Sequence, residues 1–542
     1  MSSRTLILSL FVSATIAAAC SHGGGSGAAP TPTDSPTPTP TAGSVNVESG
    51  IPTPSTVYSD LGVAPATDGV RAVLSFPVRN RASLETKVNA MYAPGSATFR
   101  QYLTRSAFEA TYAPLQSDVD AVSAWLATQN LAVTRVAANR MMLETTGTVA
   151  AFNAAFLTTL HQFSRSDSSS TVYGTLDPLF APPDVAAKLD AVVIADLPAD
   201  TTPLPTDVGT VQNVPPGAGN FDVATIAKAY GLDTIYTAGH KGAGVTLGVI
   251  VGAAFKVSDV QTFWTSFGLT RTDPTIVTVA ELPSTRYLET TLDVEWSGAL
   301  APDAAMIVYE GPDSRDTSLV WTFNEAIGRA EADVLTDSFA HREDAEAPAM
   351  QRAYDQAALE AAALGMTVIS ASGDSGKPDL PSSSPWVTAA GGTVLSVNGS
   401  GAISSEPAWS DSGSGNAKLF PRPDWQSTVA PNDTTRAVCD VSLNAGAGYW
   451  TRYLGNWGGY QGTSFASPVF AGIMASVDSA RIANSKPPAG WLNSQLYGVT
   501  AVHASFHDVT SGTTGTHAAG PGWDYPSGWG SPDASALSTA LP

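Results

Sequence analysis

The sequence predicts an α/β protein with a parallel β-sheet flanked by helices, preceded by an α+β domain. In the second half of the chain, short and almost continuously apolar runs alternate with helical segments, which is the pattern of buried parallel strands joined by helices. Before this region, strands and amphipathic helices follow one another less regularly. The chain has 542 residues, which is enough for two or more domains.

Residues 1–20 are typical of an export signal. Arg4 gives the positive start, an apolar stretch follows from Leu6 to Ile16, and small alanines precede Cys20. This order predicts a bacterial lipoprotein signal, in which Cys20 becomes the lipidated first residue. Ordinary secretion with an incidental cysteine is the alternative. We expect an exported protein, either lipid-anchored to the cell envelope or released after processing, whose only membrane contact is the lipid on Cys20.

Residues 21–56 are rich in Gly, Ser, Pro and Thr, so they are predicted to form an extended tether rather than a core. Residues 57–199 are predicted to be an α+β domain, and no catalytic cluster is evident there. Its predicted strands are Ala72–Val78, Leu131–Val136 and Met141–Thr145, and its predicted helices are Ser83–Ala93, Val119–Gln129 and Val149–Phe156. Residues 200–220 form a Pro- and Thr-rich linker that suits proteolytic processing.

Residues 221–542 contain the predicted parallel sheet. The predicted strands are Val245–Gly252, Met306–Tyr309, Val334–Thr336 and Thr367–Ser370, with helices at Leu288–Leu300 and Gln351–Ala363. Ligands bind such sheets beyond the carboxyl ends of the strands. The polar segment Ser370–Gly376 follows one of these ends directly, so we expect part of a site there.

The composition limits the functions to be considered. The formal net charge is -21 and only 14% of residues are charged, so the chain lacks the cations that bind nucleic-acid phosphates. Cys20 and Cys439 are the only cysteines, which excludes a disulfide framework. We expect a monomer.

Ser464 lies in Gly462–Gly472, a Gly-Thr-Ser segment followed by an apolar run with one proline. The spacing predicts a loop-to-helix junction, where the positive end of the helix dipole favours a nucleophilic hydroxyl. A helix N-cap serine is the alternative. A histidine base would be usual, but none of the seven histidines lies in a subtilisin-type motif, and the strand Gly248–Gly252 has no terminal aspartate.

Glu289 and Asp293 offer a different base. They are four residues apart, so they share one face of a helix, and two like charges there raise the pKa of one carboxyl. A carboxylate base works in acid, where histidine is protonated. A solvated acidic face is the alternative, but the apolar neighbours, among them Leu292 and Trp296, leave little such face.

Asp374 lies in the polar segment after the strand that ends at Ser370. A protonated carboxyl can donate a hydrogen bond to an oxyanion, so Asp374 is a candidate stabiliser; a turn aspartate is the alternative.

Near the C-terminus, Asp508 and Asp524 flank a Gly-rich loop whose oxygens suit Ca²⁺, although Asx turns would explain the same residues.

Together these motifs resemble the sedolisin family of serine-carboxyl peptidases. Phe99–Thr104 and Trp125–Leu126 are similar to the activation prodomain of that family, and the segment Pro381–Thr393 is also family-like. The likeness covers about residues 57–535. The resemblance implies a subtilisin-like fold with Ser464 as the nucleophile, Glu289 as the general base, Asp293 as its partner and Asp374 as the oxyanion stabiliser.

The resemblance also implies a calcium site and a zymogen. One structural Ca²⁺ would bind the side chains of Asp508 and Asp524 and the carbonyl groups of Val509, Gly520 and Gly522. The prodomain would inhibit the enzyme until acid triggers cleavage between about Ala199 and Phe221.

Three segments depart from the family pattern: Ser338-Phe339-Ala340 replaces Ser-Trp-Gly, Ser412–Lys418 replaces a glycine triplet, and Cys439 replaces a proline. A buried, inert thiol is expected for Cys439. The altered substrate wall keeps a second hypothesis open, in which the chain is a non-catalytic surface lipoprotein that uses the fold as a binding module. The sequence leaves open whether the enzyme is an endopeptidase or a tripeptidyl peptidase, and which cleavage sites it prefers.

Overall fold

The computed structural model describes residues 44–47, 49, 58–165, 171–194, 220–283, 285–339 and 341–542. The predictions for residues 1–20, for most of the tether 21–56 and for the linker 200–219 therefore lie outside the described residues. Within the part that is described, none of the helices combines the length and the apolar character that a membrane span needs.

A seven-stranded parallel sheet organises the C-terminal region. Its strands in spatial order are Thr275–Thr278, Ala305–Glu310, Thr246–Val251, Val334–Asp337, Thr367–Ala371, Thr388–Thr393 and Val441–Asn444. The predicted parallel α/β class is confirmed, and all four predicted strands are present. The sequence analysis missed the other three because one is an exposed edge, one is rich in Ala and Gly, and one alternates apolar and polar residues.

Helices cover both faces of this sheet. The α-helices of the region are Val223–Ala229, Leu232–Thr237, Val257–Ser266, Leu288–Leu300, Asp316–Arg329, Pro348–Leu364, Thr463–Ala483, Asn493–Gly498, Thr500–His503 and Ala534–Ala540. Two of them carry the candidate site. We call Leu288–Leu300 the acid helix and Thr463–Ala483 the serine helix. These two helices pack against each other in one core cluster, on the same side of the sheet.

Short elements complete the C-terminal region. The two-stranded sheets and hairpins use His341–Arg342, Asp379–Leu380, Ser396–Val397, Ile403–Ser405, Gly415–Pro421, Thr435–Val438, Tyr449–Tyr453, Asn456–Tyr460, Phe506–His507, Thr513–Thr514, His517–Ala518 and Ser531–Pro532, with 3₁₀ turns at Glu343–Ala345 and Asp424–Gln426. The hairpin Tyr449–Tyr460 leads directly into the serine helix.

The N-terminal region is α+β, as predicted. Its strands are Val45–Val47, Tyr58–Val63, Gly69–Ser75, Ala132–Val136, Met142–Thr148, Leu160–Arg165, Thr171–Thr175, Leu179–Ala181 and Ala191–Ile194, and its helices are Arg81–Tyr92, Arg105–Thr111, Gln116–Thr128, Val149–Phe156 and Pro183–Ala186. It has a core of its own.

The helix Arg81–Tyr92 and Phe108 pack in one cluster with Pro348–Leu364 of the C-terminal region. The main-chain amide of Leu103 donates to the carbonyl of Ala363 at 2.9 Å. The family-like segment Phe99–Thr104 therefore lies at the contact between the two regions.

Candidate active site

Ser464 is the second residue of the serine helix, so the predicted loop-to-helix junction is confirmed. The residue before the helix is Gly462, with φ of +143°, a conformation that side-chain-bearing residues rarely adopt. A Cβ on Gly462 would also lie 2.7 Å from Asp374 Oδ2. Glycine is required at this position because it lets the chain turn into the helix beside Asp374.

Pro468 lies inside the first turns of the serine helix and has no N–H, so the carbonyl of Ser464 cannot accept the usual helical hydrogen bond. The hydroxyl of Ser338 approaches that carbonyl at 3.3 Å. The same hydroxyl donates to Asp293 Oδ1 at 2.6 Å, which is the shorter contact. Ser338 therefore lies between the serine helix and the acid helix.

Glu289 and Asp293 lie on the acid helix, which is buried from Thr290 to Leu300. The solvated acidic face that was the alternative is therefore absent from this helix. Asp293 is fully buried, whereas Glu289 keeps some exposure at the cleft and buries its Oε1. Glu289 Oε1 and Asp293 Oδ2 have no hydrogen-bond partner in the described structure.

Burial raises the pKa of both acids. For Glu289, hydrogen bonding with Ser464 offsets part of this rise in pKa, and the charges of Asp374 and Asp337 add to it. For Asp293, the charge of Glu289 is the second cause of the raised pKa, and the hydrogen bond from Ser338 opposes it. The two carboxyls titrate as one coupled pair, so they hold a proton between them well above the usual carboxyl range.

Asp374 follows the strand Thr367–Ala371 and is exposed to solvent. Its Oδ1 accepts hydrogen bonds from the amide and the hydroxyl of Thr463, at 2.8 and 2.6 Å. Desolvation raises the pKa of Asp374, the Thr463 bonds lower it, and the charge of Asp411 raises it further. Its Oδ2 lies beside Gly462, next to the start of the serine helix.

The structure therefore brings Glu289, Asp293, Asp374 and Ser464 to one end of the sheet, from three separate segments. Sequence reasoning missed two supporting residues. Ser338 was noted only as part of an altered family segment, although its place after the strand Val334–Asp337 could have marked it. Thr463 gave no signal beyond its position before Ser464.

The predicted calcium residues lie together in a C-terminal loop, separate from the catalytic candidates. Asp508 Oδ2 accepts from the amide of Gly522 at 2.9 Å, and Asp524 Oδ2 accepts from the amide of Gly520 at 2.7 Å. Burial raises the pKa of Asp524, hydrogen bonds from Gly520 and Ser527 lower it, and the charge of Asp508 raises it. Two carboxylates that repel each other in one loop are ligands of the type that Ca²⁺ takes.

Cys439 is fully buried, and burial raises the pKa of its thiol to about 12. The thiolate is the reactive form. Cys439 therefore behaves as the inert thiol that the sequence predicted.

The chain matches two protein-family models and is similar to known peptidases. Residues 57–197 match the family model for the pro-kumamolisin activation domain, and residues 287–530 match that of the subtilase family. The chain is similar to kumamolisin of Bacillus sp. (strain MN-32), with 30% identity over 82% of this chain and 86% of the relative. It is 29% identical to sedolisin of Pseudomonas sp. (strain 101), over 88% of each chain.

One further relative and one solved structure are also similar to the chain. Human tripeptidyl-peptidase 1 is 31% identical over 47% of this chain and 52% of its own length. Among solved structures, Pseudomonas sedolisin in complex with pseudo-iodotyrostatin matches with a TM-score of 0.54 and 28% identity, over 60% of this chain and 98% of that chain. The expected subtilisin-like domain, preceded by a prodomain, is confirmed.

Proposed function

The chain belongs to the sedolisin family of serine-carboxyl peptidases and carries an activation prodomain, and from this premise we propose that it cleaves peptide bonds in acid through an acyl-enzyme on Ser464. Glu289 is the general base, Asp293 its partner, and Asp374 the oxyanion stabiliser. One observation carries the proposal: the two buried carboxyl oxygens without partners, on Glu289 and Asp293, lie on adjacent turns of the helix beside Ser464.

A proton shared between Glu289 and Asp293 would satisfy both of these oxygens. Asp293 is the more deeply buried of the two and keeps the proton more strongly, so Glu289 is left as the anion that faces Ser464. Burial raises the pKa of Glu289, so only part of the protein carries Glu289 as the anion in acid, but for the same reason that anion is a stronger base than an ordinary carboxylate. It acts at a pH where a histidine base would be protonated. Because the pair keeps one proton, it carries one negative charge instead of two, and this lowers the free-energy cost of burying it.

In the first step, the Ser464 O–H bond breaks and its proton passes to Glu289, while Oγ forms a bond to the substrate carbonyl carbon. The carbonyl π electrons move to its oxygen, and protonated Asp374 donates a hydrogen bond to that oxyanion. The C–N bond then breaks as Glu289 returns the proton to the leaving amine. Water attacks the resulting ester by the same route and releases the acid product and Ser464.

The prodomain acts as an intramolecular inhibitor in this proposal. Its contact with the peptidase domain includes buried polar groups: Asn139 donates to Glu360 Oε2 at 2.7 Å and to Asn324 Oδ1 at 2.9 Å. Val78 donates its amide to Gln356 Oε1 at 2.6 Å. These buried polar groups find their hydrogen-bond partners on the other domain. The contact therefore favours a prodomain that stays bound until processing.

The predicted Ca²⁺ would be held by the carboxylates of Asp508 and Asp524 and the carbonyl groups of Val509, Gly520 and Gly522. Its contribution would be structural, because it would neutralise the charges of two carboxylates, of which Asp508 raises the pKa of Asp524. Removing Ca²⁺ with a chelator should lower the unfolding temperature, and Asp508→Asn should reduce that sensitivity.

We also propose that Cys20 is lipidated and that the chain is cleaved between the prodomain and the peptidase domain. Because Cys20 precedes the prodomain, processing would leave the lipid on the prodomain and release the peptidase. Recovery of the peptidase fragment only in the membrane fraction would contradict this part of the proposal.

The decisive experiment compares wild type with Ser464→Ala after a shift from neutral pH to about pH 4, near the reference carboxyl pKa. Self-cleavage is followed on a gel and hydrolysis of denatured protein in solution. We expect only wild type to mature and to digest substrate. Equal activity of the two proteins would show that Ser464 is not the nucleophile, and inactivity of both across the acid range would reject acid peptidase activity.

A further inference from the structure

Beside the catalytic cleft, three metal-ligating side chains from three separate segments come together. Asp316 begins the helix Asp316–Arg329, His341 lies three residues after Ser338, and Glu346 precedes the helix Pro348–Leu364. Their ligand atoms all lie within 4.8 Å of one another. Among the described residues, no other group of three or more His, Cys, Asp or Glu side chains meets this condition. The proposed peptidase mechanism uses none of the three.

The chemistry of the cluster fits a divalent transition-metal ion. His341 Nδ1 lies 2.9 Å from Asp316 Oδ1, and these side chains are 17% and 13% exposed, respectively. Two carboxylates and one imidazole balance a charge of +2 and leave coordination positions for water. Oxygen-only sites suit Ca²⁺, whereas an imidazole ligand favours Zn²⁺ and its neighbours in the transition series.

The spacing is close to that of a bound ion. Three atoms within 4.8 Å of one another can surround a point about 2.8 Å from each, whereas Zn²⁺ bonds to nitrogen and oxygen are about 2.0–2.2 Å long. A movement of less than about 1 Å for each side chain therefore closes the site.

A second observation points to the same place. The side chain of Tyr354 is 1% exposed, and its hydroxyl has no hydrogen-bond partner in the described structure. Tyr354 lies on the helix Pro348–Leu364, which Glu346 precedes. A metal-bound water, or the metal itself, would give this buried hydroxyl the partner that the protein does not provide.

We propose that Asp316, His341 and Glu346 bind a divalent transition-metal ion, with Zn²⁺ as the preferred candidate. The ion ties the wall of the cleft to the starts of two helices. The wall segment after Val334–Asp337 carries Ser338, which donates to Asp293. The site therefore stabilises the segment that positions one catalytic carboxyl, without contacting substrate itself.

The test uses full-length Ser464→Ala protein, which avoids self-digestion, in chelator-treated buffer with saturating Ca²⁺. Zn²⁺ is titrated by calorimetry, and Co²⁺ is used as a spectroscopic probe because its visible absorption reports a histidine-containing site. The site variants are His341→Ala and Glu346→Gln. The control is His161→Ala, because His161 Nδ1 makes the same 2.9 Å contact with Asp60 Oδ1 in the prodomain.

We expect the parent and the His161→Ala control to bind one more Zn²⁺ per chain than His341→Ala, with a matching rise in unfolding temperature. Glu346→Gln should bind that ion at least tenfold more weakly, and it serves as the test if His341→Ala does not fold. Equal Zn²⁺ stoichiometry and affinity in the parent and the site variants, or no binding by the parent at micromolar Zn²⁺, would overturn the proposal.

Discussion

The acid helix carries buried carboxyls in two different surroundings. Glu295 is fully buried, and its two oxygens accept from the amide of Arg452 at 3.3 and 3.2 Å, beside Asp259. Glu289 and Asp293 each have a buried oxygen with no partner, and they lie beside Ser464. Burial raises the pKa of all three acids. Burial alone therefore does not distinguish a catalytic acid; the roles proposed for Glu289 and Asp293 depend on their unpartnered oxygens beside Ser464.

The largest effect is expected when one acid in each setting is neutralised. Glu289→Gln removes the proposed base, so we expect self-cleavage in acid to slow by about 10²–10⁴-fold. Glu295→Gln keeps an acceptor for the Arg452 amide and should retain most of the activity. Rates of prodomain cleavage, followed on gels, check this. A similar loss in both variants would mean that Glu289 acts through the structure of the helix rather than as a base.

Asp374 is in a third setting, because hydrogen bonds from Thr463 hold this acid although it is exposed to solvent. Asp374→Ala removes the oxyanion donor, and we expect kcat to fall by about 10²–10³-fold. Asp374→Asn keeps a donor that does not titrate, so it should retain more activity than the alanine variant. Because the wild-type carboxyl donates only when protonated, activity should fall as pH rises through its raised pKa, and the asparagine variant should lose that dependence.

If the alanine and asparagine variants are equally inactive at every pH, the hydrogen-bond donor role of Asp374 is wrong. Gly462→Ala is a useful second variant, because it places a Cβ against Asp374 Oδ2 while leaving the carboxyl in the protein. A loss of kcat there, with unchanged pH dependence, would indicate displaced geometry rather than a lost donor.

The buried acids also predict the pH dependence of stability. An acid whose folded pKa is raised binds its proton more tightly in the folded state, so its contribution favours folding less as pH rises from the unfolded pKa to the folded one. In this window each such group changes the free energy of unfolding by about 1.4 kcal/mol per pH unit. The raised pKa of Glu295 places it among them.

We therefore expect full-length Ser464→Ala protein to unfold at lower temperature at neutral pH than in mild acid. Adding Glu295→Gln should make that dependence shallower, because glutamine does not titrate. Thermal unfolding between about pH 5 and pH 8, above the reference pKa of free glutamate, measures both. An unchanged slope would show that Glu295 does not hold its proton in the folded state.

The sequence predicted the fold class, four of the seven strands of the main sheet and the two helices that carry the catalytic candidates. The apolar runs marked the central strands clearly, whereas Thr388–Thr393 has few large apolar residues and Val441–Asn444 alternates apolar and polar residues, so neither forms such a run. The roles of Ser338 and of the cluster around His341 depend on segments that are distant in sequence. Spacing along one helix cannot reveal such contacts, so only the folded chain shows them.

The smallest expected effect concerns Ser338, which links the acid helix to the serine helix. Its hydrogen bond lowers the pKa of Asp293, so Ser338→Ala should raise that pKa. Because Asp293 carries the shared proton in the proposed mechanism, the pair would then keep that proton up to a higher pH, and the limb of the pH–kcat profile that is set by its loss should move upward by about 0.7 pH unit or less for a bond worth about 1 kcal/mol. Ser338→Thr keeps the hydroxyl and should restore the profile. A uniform loss across all pH values in Ser338→Ala, without a shifted limb, would mean that Ser338 only packs between the helices and does not tune the pair.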